Sequence, residues 1–291
     1  MKWNRALLGA VAAMATLFAA PCGSEDVVQP RHIAVHSKRR GASDLEVSLA
    51  PGKTVFVTYA DLLTLPQEHF RVADDTNFTR PVEIDGVALA RLPKLLGAPA
   101  NQAMVIAACD DNYEAHYPAE YLHDHHPVLV LKVNGRDPAH WPLGSDGVPM
   151  GPYMVTHEHF QPSFHVFAHA DEPQVPWGVV RLDLRDQTQV YAPILPRGPH
   201  ANDPLVQQGY TIARQNCFRC HGLDGEGGTK SNRTWDVVAR RAKADPQYFD
   251  EYVVSPKRLN PAAQMAGSPG YNPPTLNALR AYFMTFAEVR R

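Results

Sequence analysis

The stretch "NCFRCHGLDGEGG", residues 216–228, contains the most specific motif of the chain. Two cysteines, Cys217 and Cys220, are three positions apart, and His221 follows the second one directly. A glycine-rich segment comes next. The chemistry of such a thiol pair depends on the compartment, because cytosolic thiols stay reduced whereas exported ones are oxidised or otherwise modified. The beginning of the chain therefore decides how this motif is interpreted.

The first residues have the pattern of a secretory signal peptide. Lys2 and Arg5 precede an apolar run of 15 residues, and small residues and a polar chain follow. This run is short for a membrane-spanning helix, which needs about 20 residues. Pro21 directly before Cys22 argues against lipid attachment at that cysteine. We therefore predict a signal peptide over residues 1–22, a periplasmic location and no transmembrane segment in the mature chain.

The composition is that of a globular protein with an ordinary charge balance. The chain has 291 residues, of which 44% are hydrophobic and 20% charged, and its net charge is −2. The roughly 270 residues left after export exceed a typical single core, which favours two domains. Without a basic excess we expect no nucleic-acid partner. A proline-rich stretch with little apolar periodicity predicts a linker over residues 191–203.

The spacing of the two cysteines points to one chemistry. A disulfide framework would need more cysteines than the four present. A zinc site would need a second ligand pair at similar spacing, and a thioredoxin-like pair would not need the adjacent histidine. C-x-x-C-H in an exported chain is the attachment signature of c-type haem, because one helical turn presents both sulfurs and the next imidazole reaches the iron. We predict one covalent haem c at Cys217 and Cys220, with His221 as the proximal ligand.

Helical patterns flank the motif. Asp203 is a candidate N-cap, and Pro204 suits the first position of a helix that leads into the motif. The stretch "NPPTLNALRAYFMTFAEVRR", residues 272–291, places apolar side chains on one face of a final helix. Between them "DPQYFDEYVVSP", residues 245–256, predicts a third helix. Residues 204–291 are therefore predicted to be all-α.

This order of elements resembles that of the class I cytochromes c. In that family a glycine lets the first and last helices cross closely, and the matching positions are Gly209 and the pair Tyr282–Phe283. The family's sixth iron ligand is a loop methionine ahead of the last helix, which corresponds to Met265, whereas Met284 lies inside that helix. The resemblance implies ligation by histidine and methionine, without an open coordination site, and transfer of single electrons.

The preceding part of the chain reads mainly as strands. Strands are predicted over residues 53–60, 102–109, 127–135 and 177–184, helical turns over 60–65 and 88–96, and a hairpin turn at Asn134-Gly135. The pieces "YADLLTLPQEHFRV", "IDGVALARLPKLLG", "CDDNYEAHYPAEYL", "PVLVLKVNGRD" and "PWGVVRLDL" follow one another in an order that resembles the molybdopterin-binding domain of the sulfite oxidase family. The resemblance covers about residues 45–190.

The family's molybdenum ligand has no counterpart here. A cysteine thiolate binds the metal in that family, but the corresponding stretch "EHFRVADDTNFTRPVE" contains no cysteine. Cys109 lies on a later strand, and we interpret it as a buried structural thiol. The resemblance therefore implies a related domain that has lost the cofactor.

Histidines are numerous in the same region. "HDHH" supplies His123, His125 and His126, and "HEH" supplies His157 and His159. Residues two apart share a face of a strand, so the last two are a candidate copper or zinc pair. No complete ligand set can be read from the spacing, and we interpret these histidines as a solvated, proline-flanked surface.

Together these patterns predict a multidomain chain. An α+β, mainly β, sulfite-oxidase-like domain over residues 45–190 would be joined to an all-α class I cytochrome c domain over residues 204–291. The expected function is a periplasmic electron carrier with redox partner proteins as donor and acceptor, a partner-docking first domain and no catalytic residue. One alternative is a sulfite-dehydrogenase-like oxidoreductase with a metal centre in the first domain. Another is a metal-binding chaperone built on the histidines.

Overall fold

A mixed β-sheet and a group of helices make up residues 33–287, which the computed structural model describes. The predicted signal peptide and Cys22 lie outside the described residues. The strands are β1 (Leu45–Ala50), β2 (Lys53–Val57), β3 (Glu68–Val72), β4 (Val82–Ala88), β5 (Met104–Cys109), β6 (Glu114–Tyr117), β7 (Val128–Val133), β8 (Tyr153–Thr156), β9 (His165–Val166), β10 (His169–Ala170) and β11 (Trp177–Arg185). The helices are α1 (Tyr59–Leu62), α2 (Leu92–Leu95), α3 (Ala119–His125), α4 (Gln187–Tyr191), α5 (Pro204–Asn216), α6 (Trp235–Ala244), α7 (Pro246–Val254), α8 (Pro256–Leu259) and α9 (Pro273–Ala287).

Strand β11 is the centre of the sheet. The strand order is β2-β1-β11-β8-β7-β4-β3, and β5 pairs with both β11 and β6. Only the β1–β11 pair is parallel among the pairs of the described residues. The register of β11 shifts against β8 at Gly178, whose φ is 67°, and against β5 between Val179 and Arg181. This bulge lets one long strand pair with three others along its length.

The strands predicted from the sequence are present, three of them with shorter bounds and β11 one residue longer. Strands β2, β5, β7 and β11 lie within or close to the four predicted ranges. The Asn134-Gly135 turn is confirmed, with φ angles of 52° and 73°. It does not lead into a second full strand, because only the single bridge between Val133 and Arg136 follows it. Instead the side chain of Asn134 accepts a hydrogen bond from the backbone of Glu83 in β4, at 2.9 Å.

The C-terminal part is helical, as predicted for its three principal helices. The Asp203 side chain caps α5 by accepting a hydrogen bond from Leu205 N at 2.8 Å, and Pro204 is the first residue of that helix. The sequence analysis did not predict α6. That helix buries Trp235, Ala239 and Ala242, and the two small alanines give only a weak apolar pattern. No helix of the described residues is long and apolar enough to cross a membrane.

Helices α5 and α9 cross at Gly209. A Cβ atom at this position would lie 2.0 Å from the carbonyl oxygen of Ala278 and 2.8 Å from Cβ of Tyr282. The two backbones are therefore so close that only glycine, which has no Cβ atom, fits at this position. The close crossing expected at Gly209 is confirmed, and Tyr282 and Phe283 are both fully buried beside it.

The predicted multidomain fold class is wrong. The described residues form one compact unit built on a single nine-stranded sheet, so the helices after Pro204 are not a separate all-α class I cytochrome c domain beside a separate α+β one. The physical reason is β5, in which all six residues are buried. Val105 packs into the core of the sheet, whereas Met104 and Ile106 pack into the core formed by the helices.

The helix crossing can be tested with a pair of glycine variants. Gly209→Ala should lower the free energy of unfolding by about 3 kcal/mol, at the upper end of the range for overpacked cores, because the added methyl group meets backbone atoms. Gly270→Ala is the matched control, since a Cβ atom there meets nothing within 4 Å. Urea unfolding of both variants measures the difference. Equal stability of the two variants would contradict the crossing.

Candidate haem site

The C-x-x-C-H motif continues the last turn of α5. Cys217 is the C-cap, and its N–H donates to the carbonyl of Ala213 at 2.8 Å. The N–H of His221 donates in turn to the carbonyl of Cys217 at 3.0 Å. Phe218, between the two cysteines, is fully buried in the helical core. The turn therefore has a defined position, because one of its own side chains belongs to the core.

Both motif cysteines are free thiols and partly buried. Burial raises the pKa of Cys217 to about 12 and also raises the pKa of Cys220. A redox-active C-x-x-C pair needs the opposite, a thiol whose pKa is depressed so that a thiolate forms. The environment of these cysteines therefore counts against thiol–disulfide exchange as their function.

The ring of His221 is held by its Nδ1 atom, which lies 2.6 Å from the carbonyl oxygen of Arg233. A carbonyl can only accept, so Nδ1 carries the proton and the lone pair is on Nε2. Loss of hydration lowers the pKa of His221 and favours the neutral ring. A neutral imidazole whose other nitrogen donates to a backbone carbonyl is the usual arrangement of a metal-ligating histidine. The donor set of two free thiols and this imidazole thus fits a covalently attached haem.

The glycine-rich segment packs directly on the motif. Asp224 and Gly225 form a tight turn with φ angles of 52° and 84°. Farther along, the N–H of Gly228 donates to the carbonyl of Phe218 at 3.0 Å. A Cβ atom on Gly228 would lie 1.8 Å from the carbonyl oxygen of Arg219. The glycines after the motif are therefore needed for backbone-to-backbone packing against the loop that contains both cysteines.

The sheet also contacts this loop, at the turn between β5 and β6. The N–H of Glu114 donates to the carbonyl of Arg219, and the N–H of Thr229 donates to the carbonyl of Asn112, both at 3.2 Å. Lys230 forms an ion pair with Asp111. The sequence analysis did not assign this turn to the site, because its partners lie more than 100 positions away and no local pattern marks them.

Met265 lies in the loop between α8 and α9 and is partly buried. The loop is tied to α7 by a hydrogen bond from Ser268 N to the carbonyl of Val253, at 2.9 Å. Its last part reaches the motif, since the side chain of Asn216 donates to the hydroxyl of Tyr271. The rival Met284 is also partly buried, within α9. Met265 thus lies in the loop ahead of the last helix, and its assignment as an iron ligand stays a prediction.

Several histidines are not on a solvated surface, contrary to the interpretation from sequence. His125 is buried and lies 2.6 Å from the carboxylate of Asp171. His157 is buried too, and its Nε2 atom lies within hydrogen-bond distance of the Tyr121 hydroxyl, at 3.1 Å. His159, by contrast, is exposed. The candidate pair His157 and His159 therefore does not share a strand face, and residues 33–287 contain no group of three or more His, Cys, Asp or Glu side chains placed for a metal ion.

His169 joins the sheet part of the chain to the helices. It is buried, and its Nε2 atom lies 2.5 Å from Oε1 of Gln215 in α5. The hydroxyl of Tyr271 donates to its Nδ1 atom at 3.0 Å. One imidazole thus contacts both the helix before the motif and the loop that contains Met265.

Cys109 is the buried thiol that the sequence predicted. Its exposed fraction is 7%, and burial raises its pKa to about 12. At neutral pH the group is therefore an uncharged thiol within the core of the sheet. It has the environment of a packing residue.

Comparisons with known proteins include a distant structural likeness. No family model matches the chain, and no curated protein matches it. Among solved structures, the sulfane dehydrogenase SoxCD from Paracoccus pantotrophus aligns with a TM-score of 0.34 and 17% sequence identity. The alignment covers 56% of this chain and 45% of that chain, so the likeness spans less than half of the known protein. We draw no functional conclusion from it.

The buried His157 predicts an acid-sensitive fold. Burial, with the nearby His125, lowers the pKa of His157 from 6.5 to about 3. Between these values the unfolded chain binds a proton that the folded protein does not, so stability is present above pH 6.5 and is lost as the pH falls. The loss from this residue is about 1.4 kcal/mol per pH unit. In urea unfolding from pH 7 to pH 4, His157→Phe should show a shallower decline than the natural protein, and an unchanged slope would contradict this.

Proposed function

We propose that this chain is an exported electron carrier of the periplasm, which holds one covalent haem c and exchanges single electrons with redox partner proteins. The observation that carries the proposal is the C-x-x-C-H turn at the end of α5. There two free thiols adjoin an imidazole whose Nδ1 proton is bound by the carbonyl of Arg233 at 2.6 Å. The apolar start of the chain, with Lys2 and Arg5 ahead of it, supports export.

Each residue of the site would have a distinct role. Cys217 and Cys220 would hold the group by thioether bonds, His221 would ligate the iron through Nε2, and Met265 would supply the sixth ligand. When bound, a haem with histidine and methionine ligands supplies a one-electron couple at a raised reduction potential. Arg233 keeps the imidazole in one tautomer through its carbonyl oxygen. Phe218 and Trp235 are fully buried in edge-to-face contact and exclude water from the core below the turn.

The resemblance of the C-terminal motifs to the class I cytochromes c supports this proposal through individual residues. Gly209 allows the close crossing of the first and last helices, with Tyr282 and Phe283 beside it. The part that resembles the sulfite oxidase family would serve as a support and as a docking surface for partners. The contacts of Asn112 and Glu114 with the attachment loop favour the supporting role.

An oxidoreductase with a metal centre in the sheet has no comparable support. A molybdenum centre of the family's kind would need a thiolate ligand, and among the strands of the described residues that thiolate would have to be Cys109. This thiol is buried on β5 within the core of the sheet. For a copper centre, the described residues contain no group of three or more His, Cys, Asp or Glu side chains placed for a metal ion. We therefore keep the electron carrier as the proposed function.

Covalent attachment is the first test of this function. Protein purified after export should gain the mass of one haem, and the haem should stay on the chain in a denaturing gel. Cys217→Ala and Cys220→Ala should each leave at most one thioether bond, which weakens attachment. Cys109→Ala is the control and should keep the full mass. Haem that extracts completely into acidic organic solvent would contradict the proposal.

The sixth ligand is tested by comparing two methionines. Met265→Ala should lower the reduction potential, because a thioether favours ferrous iron. It should also open a coordination site to carbon monoxide and abolish the weak sulfur-to-iron absorption band of the ferric protein. Met284→Leu should change neither property, since that side chain lies within α9. If only Met284→Leu changed the spectrum and the potential, the assignment of the two methionines would be reversed.

A further inference from the structure

Arg219 occupies one of the two positions between the attachment cysteines, and its side chain points to the sheet. The guanidinium donates to the hydroxyl of Tyr113 at 3.0 Å and to Oδ1 of Asn216 at 3.0 Å. It also lies 3.5 Å from the carboxylate of Glu172. Only 14% of the arginine side chain is exposed. A cation is thus held within the turn that carries both thiols.

The backbone of Arg219 is held as firmly as its side chain. Its carbonyl accepts from the N–H of Glu114 in β6 at 3.2 Å. On the other side Gly228 leaves no room for a Cβ atom against the same carbonyl. The surrounding chain therefore determines where this charge lies. An exposed arginine would be averaged over many rotamers and screened by salt.

Two opposite charges lie at the attachment turn. The guanidinium of Arg219 is part of the turn itself, and the carboxylate of Glu172 lies 3.5 Å from it.

We propose that Arg219 is a positioning residue, which fastens the attachment turn to the sheet and raises the reduction potential of the haem, while Glu172 offsets part of its charge. This inference rests on the proposed function. Oxidation of the iron adds one positive charge, so a fixed neighbouring cation disfavours the ferric state and a neighbouring carboxylate favours it. The turn between β5 and β6, through Tyr113, and the segment between β10 and β11, through Glu172, would then take part in setting the potential.

The test compares reduction potentials of exported, haem-loaded proteins by spectroelectrochemical titration at low ionic strength. Arg219→Gln should lower the potential, and Arg219→Lys should restore most of it because the charge is kept. Glu172→Gln should raise the potential. The matched control is Arg91→Gln, since Arg91 is half exposed, with 51% of its side chain accessible, and pairs with Glu68 at 3.1 Å. Its potential should equal that of the natural protein.

The opposite signs distinguish this role from a purely structural one. Loosening of the turn would shift the Arg219→Gln and Glu172→Gln proteins in the same direction, and that result would overturn the inference, as would no shift in either. If Arg219→Gln fails to retain haem, a raised potential in Glu172→Gln with a near-natural one in Arg219→Lys still supports it. The mass of the natural protein is measured first. Absence of covalent haem there refutes the proposed function itself, whereas haem with unresponsive potentials refutes only this inference.

Discussion

The structure depends on burial of both faces of β5. Side chains alternate along a strand, so Met104 and Ile106 face one side while Val105 and Ala107 face the other. The first pair completes the core around α5, α6 and α9, and the second belongs to the core of the sheet. Neither core is complete without this strand. The helices and the sheet are therefore one unit. The segment before Pro204 belongs to it as well, since Tyr191 and Ile194 are buried in the core formed by the helices.

The position of the C-x-x-C-H turn depends on this arrangement. Helix α5 ends at Asn216, and its direction is set by the contact of Gly209 with the backbone of α9. The turn between β5 and β6 then contacts the loop from the other side through Glu114. A rigid helix end on one side and a strand turn on the other leave the C-x-x-C-H segment little freedom. The segment is therefore preorganised, as the proposed ligand role of His221 would require of its ring.

Much of the local structure could be predicted from the sequence because the signals were local. Asp203 and Pro204 are adjacent cap and first-turn residues, and Asn134-Gly135 adopts positive φ angles as such a pair commonly does. The weaker pattern of α6, with alanines on its buried face, was missed. The burial of the histidines, by contrast, could not be predicted from the sequence. Whether His125 is exposed or paired depends on Asp171, 46 positions away, and nothing in "HDHH" distinguishes the buried histidine from its exposed neighbours.

The sequence by itself determined the cysteine–histidine motif, the helices that carry it and the glycine at their crossing, because each follows from neighbouring residues or from helical spacing. It also indicated that the helices and the sheet form one unit, since the unbroken apolar run "MVIAAC" is typical of a strand that is covered on both faces. Which elements cover those faces was decided only by the tertiary structure. So was the contact of Arg219 with Tyr113, because residues 106 positions apart meet only when the sheet and helices pack. Long-range burial has no local pattern, and the fold class therefore had to come from the folded chain.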